Sequence, residues 1–123
     1  MNARNAYASQ MVGTASPARL LIMLLERLGR DVQQAADAQE AGEFLTAGRL
    51  LIHAQEIVLE LRTSLRHDLW DGAAKLEAIY AFLHTQLIRA NTTRDVSLTR
   101  DCQRLVDPLV ETWREAALAV VAG

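Results

Sequence analysis

Apolar residues recur along this chain at alternating intervals of three and four, the spacing that puts side chains on one face of a helix turning ~100° per residue. In the first run Leu21, Leu24, Leu25, Leu28, Val32 and Ala35 make such a stripe. Ser16 ahead of it can cap a helix start by accepting an orphan backbone N–H, and Pro17 at the first helical position loses no hydrogen bond it needs. A second run from about Glu43 to Arg66 carries Ala47, Leu51, Ala54, Val58, Leu61 and Leu65. The third aligns Leu69, Ala73, Leu76, Tyr80, Leu83, Leu87 and Ala90 and stops at the polar group Asn91-Thr92-Thr93. Asp95 or Ser97 can cap a fourth, in which Leu98, Cys102, Leu105, Leu109, Trp113, Ala116 and Val120 align. Pro108 lies inside that stripe, removes the bond to the Arg104 carbonyl and predicts a kink. Breaks fall at Asp37 to Glu43, around Gly42, and at Ser64 to Asp71.

Four helices of about 20 residues joined by short connections predict an all-α fold, an antiparallel up-down-up-down four-helix bundle. The bundle takes residues 16–123. Residues 1–15 precede it as a polar N-terminal strap, in which Tyr7, Met11 and Val12 can lay apolar side chains along the helices. Composition agrees with the helical reading: half the chain is apolar, aromatics are few and there are two prolines. At 123 residues one core suffices without disulfide or metal.

Charge removes several classes of partner. The net charge is −2, with Arg and Asp/Glu interleaved, so neither a nucleic-acid footprint nor a membrane-steering patch is expected. The runs Leu20 to Leu25 and Ala116 to Ala122 fall well short of the ~20 residues of a spanning helix, and the polar stretch Met1 to Gln10 does not read as a signal peptide. A cytoplasmic protein is expected. The lone Cys102 sits on an apolar stripe and reads as a small buried thiol rather than a nucleophile.

Some apolar residues do not fit the core stripes. Ile22 and Met23 lie more than ~100° from the centre of the first stripe. Leu45, Ile52 and Leu59, spaced by seven, sit opposite the second. Phe82 points away from the third, with Ile79 and Ile88 on its flanks. Several such residues on a small protein mark a surface for another chain, and heptad spacing suits an amphipathic helix laid in a groove.

The chain resembles the flagellar secretion chaperones of the FliS type. The resemblance rests on Tyr7, on Val12-Gly13-Thr14-Ala15-Ser16-Pro17 before Leu21 and Met23-Leu24, and on Ala54-Gln55-Glu56-Ile57-Val58 with Glu60-Leu61 and Ser64-Leu65. Leu76, Tyr80, Leu87, Ala90-Asn91 and Trp113 extend it over nearly the whole chain. Leu25-Glu26-Arg27, where the family commonly has tyrosine, an acid and glycine, and Pro108 depart from it. It implies a cytosolic chaperone, not an enzyme and without cofactor or metal. Such a chaperone binds the disordered C-terminal segment of flagellin one to one, prevents premature polymerisation and presents it to a component of the export gate. The expected partner-binding residues are Tyr7, Val12, Ile22, Met23, Leu45, Ile52, Gln55, Leu59, Ile79 and Phe82.

Other readings compete. His53-x-x-Glu56 reverses the spacing of di-iron bundles and has no second copy, so no metal site is expected. A histidine-phosphotransfer bundle would use His53 or His84, but neither is followed by a basic, glycine-rich stretch. His67 lies in a turn and says little. The third alternative is a self-associating helical adaptor, a weak homodimer pairing its spare faces without a flagellin client.

Overall fold

In a computed structural model, residues 16–65 and 72–122 are described, with side chains as far as residue 116. Tyr7, Met11, Val12, His67, Leu69 and the Val120 side chain lie outside these residues. Four helices follow in order: α1 Pro17–Glu40, α2 Phe44–Ser64, α3 Ala73–Thr92 and α4 Val96–Ala122. As expected, Ser16 opens α1, its hydroxyl accepting from Arg19 N at 3.2 Å. Asp95 caps α4 by accepting from Ser97 N at 2.9 Å.

The break after α1 is shorter than its polar composition predicts. Helix continues through Asp37 to Glu40, then closes with Glu43 N donating to Ala38 O at 2.8 Å and Gly42 N to Gln39 O at 3.0 Å. This paired closure needs a left-handed residue, and Gly42 supplies it at φ +76°. The end of α3 repeats the motif, Asp95 N to Ala90 O and Arg94 N to Asn91 O, with Arg94 in the left-handed position at φ 53°.

These three-residue turns reverse the chain, and α1 packs on α2 and α4 while α3 packs on the same two. Ion pairs fix the directions. Glu26 meets Arg114 at 2.8 Å and Asp37 meets Arg100 at 2.9 Å, so α1 and α4 run antiparallel. Arg62 meets Glu77 at 2.8 Å across α2 and α3. The result is the expected up-down-up-down bundle.

Its core contains Leu25, Leu28, Val32 and Ala35 of α1, Leu51, Ala54, Val58 and Leu61 of α2, and Leu76, Tyr80, Leu83, Leu87 and Ala90 of α3. The stripes of the first three helices are thus buried where their spacing puts them, with Leu21, Leu24 and Leu65 half-buried at the margin and Ile57 added. The fourth stripe needs correction. Its buried line is Thr99, Cys102, Val106 and Val110, whereas Leu105 and Ala116 are exposed and Leu98, Leu109 and Trp113 are only partly covered. Gly29 of α1 stands across the seam from this line. A Cβ there would lie in ordinary van der Waals contact, 3.7 Å from Val110 Cγ2 and 3.9 Å from Val106 Cγ1, so the two valines lie close over the α1 backbone at this level. Leu105, next to the buried Val106, is turned outward. Helix α4 is continuous through Pro108.

One end of the core is polar. Gln39 Nε2 donates to Ala90 O at 3.1 Å and Thr99 Oγ1 donates to Gln39 Oε1 at 2.6 Å, which ties α1, α3 and α4 together and satisfies both buried side chains.

Candidate partner-binding surface

The apolar residues left over by the core fall on separate sides of the bundle. On α2, Leu45, Ile52 and Leu59 form the outward stripe, 72%, 51% and 45% exposed. Leu59 stands at the α2–α3 edge beside Arg62, Thr63 and Glu77. Ile88 of α3 belongs to the same side, because it lies eleven residues, about three full turns, after Glu77, and it is exposed. Gln55, half-buried, borders this stripe.

A second surface runs between α1 and α2. Leu20, Met23 and Leu24 from α1 meet His53 and Ile57 from α2 in a depression of about 510 Å³, with Glu26, Arg27 and Arg30 on its rim. Met23 is 48% exposed. Next to it, Pro17, Ala18, Leu20, Leu21 and Leu24 face Glu60, Leu61 and Ser64 over about 610 Å³. The two depressions share Leu20 and Leu24, so the first two turns of α1 form a ridge between them.

The floor of the first depression is held by a buried carboxylate. Asp31, its side chain 2% exposed, accepts from Arg27 Nε at 3.0 Å and is bonded by its other oxygen to His53 Nδ1. The pair joins residues 22 apart in sequence and sets α2 against α1 at this level. A buried carboxylate requires such partners, so His53 has a structural duty.

Ile22 and Phe82 lie elsewhere. Ile22, half-buried, is one turn before Glu26, whose carboxylate meets Arg114, and therefore belongs to the α4 side of α1. Phe82 is ~140° round α3 from Glu77 and 54% exposed. Ile79, one turn before Phe82, is packed against the core and offers only an edge. The α1–α4 groove, by contrast, is polar: Glu26, Arg30, Asp107, Glu111 and Arg114 line it, and Arg114 bridges Glu26 and Glu111.

Sequence reasoning therefore finds most of the spare apolar residues but assembles them into one surface that the bundle divides. It passes over Leu20 and Ile57 as sites and misses the Asp31–His53 pair. Leu20 was detectable, since it lies ~80° off the Leu28 direction on the same flank as Met23. Tyr7 and Val12 lie outside the described residues.

Comparison with known proteins adds a family. The model of the family described as flagellar protein FliS matches residues 1–120. The flagellar secretion chaperone FliS of Bacillus subtilis (strain 168) is 28% identical over 115 residues, 94% of this chain and 86% of the relative. That of Vibrio cholerae serotype O1 (strain ATCC 39315 / El Tor Inaba N16961) is 26% identical over 111 residues, 89% and 82% of the two chains. A solved structure described as a flagellar chaperone from bacteria shares the fold at a TM-score of 0.76 and 19% identity, covering 92% of this chain and 93% of the other.

Proposed function

The chain belongs to the FliS family of flagellar proteins, and from that premise we propose that it is a cytoplasmic secretion chaperone that binds the C-terminal segment of flagellin. It prevents that segment from polymerising early and delivers the subunit to a component of the export apparatus. The family is one of chaperones, not enzymes, which sets phosphotransfer through His53 or His84 aside.

The observation that carries the reading is the outward apolar stripe Leu45, Ile52 and Leu59 on a helix whose other face already fills the core. A segment that is unfolded alone can become helical by burying its apolar side there, a coupled folding and binding step in which no bond is made or broken. Met23 and Leu20 offer a second apolar surface on the α1 side, beyond the exposed charges of Arg49 and Glu56, and Gln55 offers a polar contact at the edge of the stripe. Phe82, Ile79 and Ile22 are contacts only for a client that turns around the bundle.

Replacing Leu59 by Asp tests the placement. The melting point should change little, because the side chain stands outside the core, while affinity for a flagellin C-terminal peptide should fall by about 30-fold, or ~2 kcal/mol. Normal binding by the variant removes Leu59 from the site.

Residues 1–15 complete the proposal as a displaceable strap ahead of the binding unit 16–123. Tethered beside the start of α1, an apolar cluster such as Tyr7 and Val12 competes for the surface at an effective concentration near millimolar. Deleting residues 2–12 should raise apparent client affinity under conditions where the protein is monomeric. Weaker binding with the fold intact would instead make Tyr7 part of the binding site.

A further inference from the structure

The outward stripe of α2 carries its own symmetry. Leu45, Ile52 and Leu59 are seven residues apart, so Ile52 stands midway between two leucines. Arg49 lies three residues before Ile52 and Glu56 four after it, both exposed. At ~100° per residue they sit about 60° and 40° round the helix from Ile52, in the same sense, and so share one flank of the stripe.

Two copies of such a helix can be laid together antiparallel about a two-fold axis through Ile52. That operation reverses chain order and keeps each flank facing its own kind. Leu45 then meets the partner's Leu59, Ile52 meets its equivalent, and Arg49 arrives within one residue's rise, ~1.5 Å, of the level of the partner's Glu56. The symmetry repeats the ion pair on the other side of the axis. A parallel pairing turns this flank against the one carrying Gly48 and Gln55, and the charges do not meet. A second copy of this chain thus supplies both the apolar register and the opposite charges that the stripe requires.

We infer that α2 is a self-docking helix: two copies of the chain associate through Leu45, Ile52 and Leu59 as an antiparallel, two-fold seam with Ile52 on the axis and Arg49 crossed with Glu56. The contact is short, about 21 Å from Leu45 to Leu59 along the helix, and its charges are exposed, so the dimer is weak and salt-sensitive. If the function proposed above holds, a second copy and a flagellin client compete for Ile52 and Leu59, and the free protein keeps its most apolar stripe covered until a client displaces the copy.

The test needs no client. Sedimentation velocity of the full chain from about 1 μM to about 1 mM should show a monomer passing to a dimer. Arg49→Glu and Glu56→Arg should each weaken the dimer about fivefold to tenfold by setting like charges across the axis. The double variant Arg49→Glu/Glu56→Arg should return to within about twofold of the parent, because the crossed pairs are restored with their signs exchanged. Since Arg49 and Glu56 are seven apart, a pairing within one helix does not explain that recovery. Under mild oxidation Ile52→Cys should cross-link to itself and Phe82→Cys should not. A monomer at every concentration, a double variant no better than the singles, or equal cross-linking at both positions each overturns the proposal. Circular dichroism of each variant ensures that folded proteins are being compared.

Discussion

The two faces of α2 carry the same spacing and meet opposite fates. Ala47, Ala54 and Leu61 are seven residues apart and buried, while Leu45, Ile52 and Leu59, two positions earlier in each heptad, are seven apart and exposed. Two positions are ~200° of helix, so a shift that looks minor in sequence moves a residue from the core to solvent. Periodicity identifies apolar faces, but the number of neighbouring helices decides how many can be covered. Within the bundle α2 packs on α1 and α3, which leave its outer stripe 45–72% exposed. That face is available to a further chain, and the residues between the faces, His53 and Arg62, are polar groups that tie α2 to its two neighbours.

The largest test of this contrast uses adjacent residues. Leu51 is fully buried and Ile52 half-exposed. Leu51→Ala should cost ~2–5 kcal/mol of stability through lost burial and the cavity left behind, whereas Ile52→Ala should stay within about 0.5 kcal/mol. Urea denaturation of both variants measures the difference. Equal costs would mean that the outer stripe is covered within the monomer, and reversed costs that α2 is rotated by half a turn.

A smaller effect is expected at the boundary between the faces. His53→Ala removes one of the two partners of the buried Asp31 and leaves Arg27 to hold it, at a cost of ~1–3 kcal/mol. His53→Gln, which retains a donor, should recover part of this. If His53→Ala is neutral in urea denaturation, Asp31 is satisfied without it and the α1–α2 level is set by packing alone.

What could be read from sequence follows from how local each determinant is. The stripes of α1, α2 and α3 were legible because each core stripe holds more apolar residues, mostly leucine and alanine, than the second apolar face of its helix. In α4 two phases compete. Leu98, Leu105 and Leu109 outweigh Thr99, Val106 and Val110 in size, but the second phase includes Thr99, whose hydrogen bond to Gln39 spans 60 residues of sequence and favours its burial. Composition could not show that bond. The same limit applies to the surface: that Met23, Ile52, Leu59 and Phe82 were spare was legible from phase, and that Phe82 lies on a different side from Leu59 required the order of helices around the core. Arg94 in a left-handed turn position has no sequence signature, because glycine or asparagine is the usual occupant.

The smallest effect concerns the inner face at high pH. Burial first, and the charge of Asp101 second, push the Cys102 thiol from 9.0 up to about 12, and burial pushes Tyr80 from 10.0 up to about 12. In both cases the native state resists losing a proton that the unfolded chain releases at its ordinary value. Below pH ~9 neither state has ionised the thiol and the stabilisation is complete. As pH rises past 9 the unfolded chain gains thiolate that the folded one does not, so stability falls progressively until the folded thiol titrates near 12. By pH 10 the thiol's share of the loss should be about 1 kcal/mol. Cys102→Ala removes that share while leaving the Tyr80 share, so the two proteins should diverge between pH 8 and 10 as measured by urea midpoints. A cysteine placed on the outer face, Ile52→Cys in the Cys102→Ala background, should add no such slope, because an exposed thiol ionises alike folded and unfolded. If Cys102→Ala keeps the parent's slope, another group titrates there. If the outer cysteine creates a slope under conditions where the protein is monomeric, then position 52 is covered within the monomer and the two faces of α2 are not as different as their exposures.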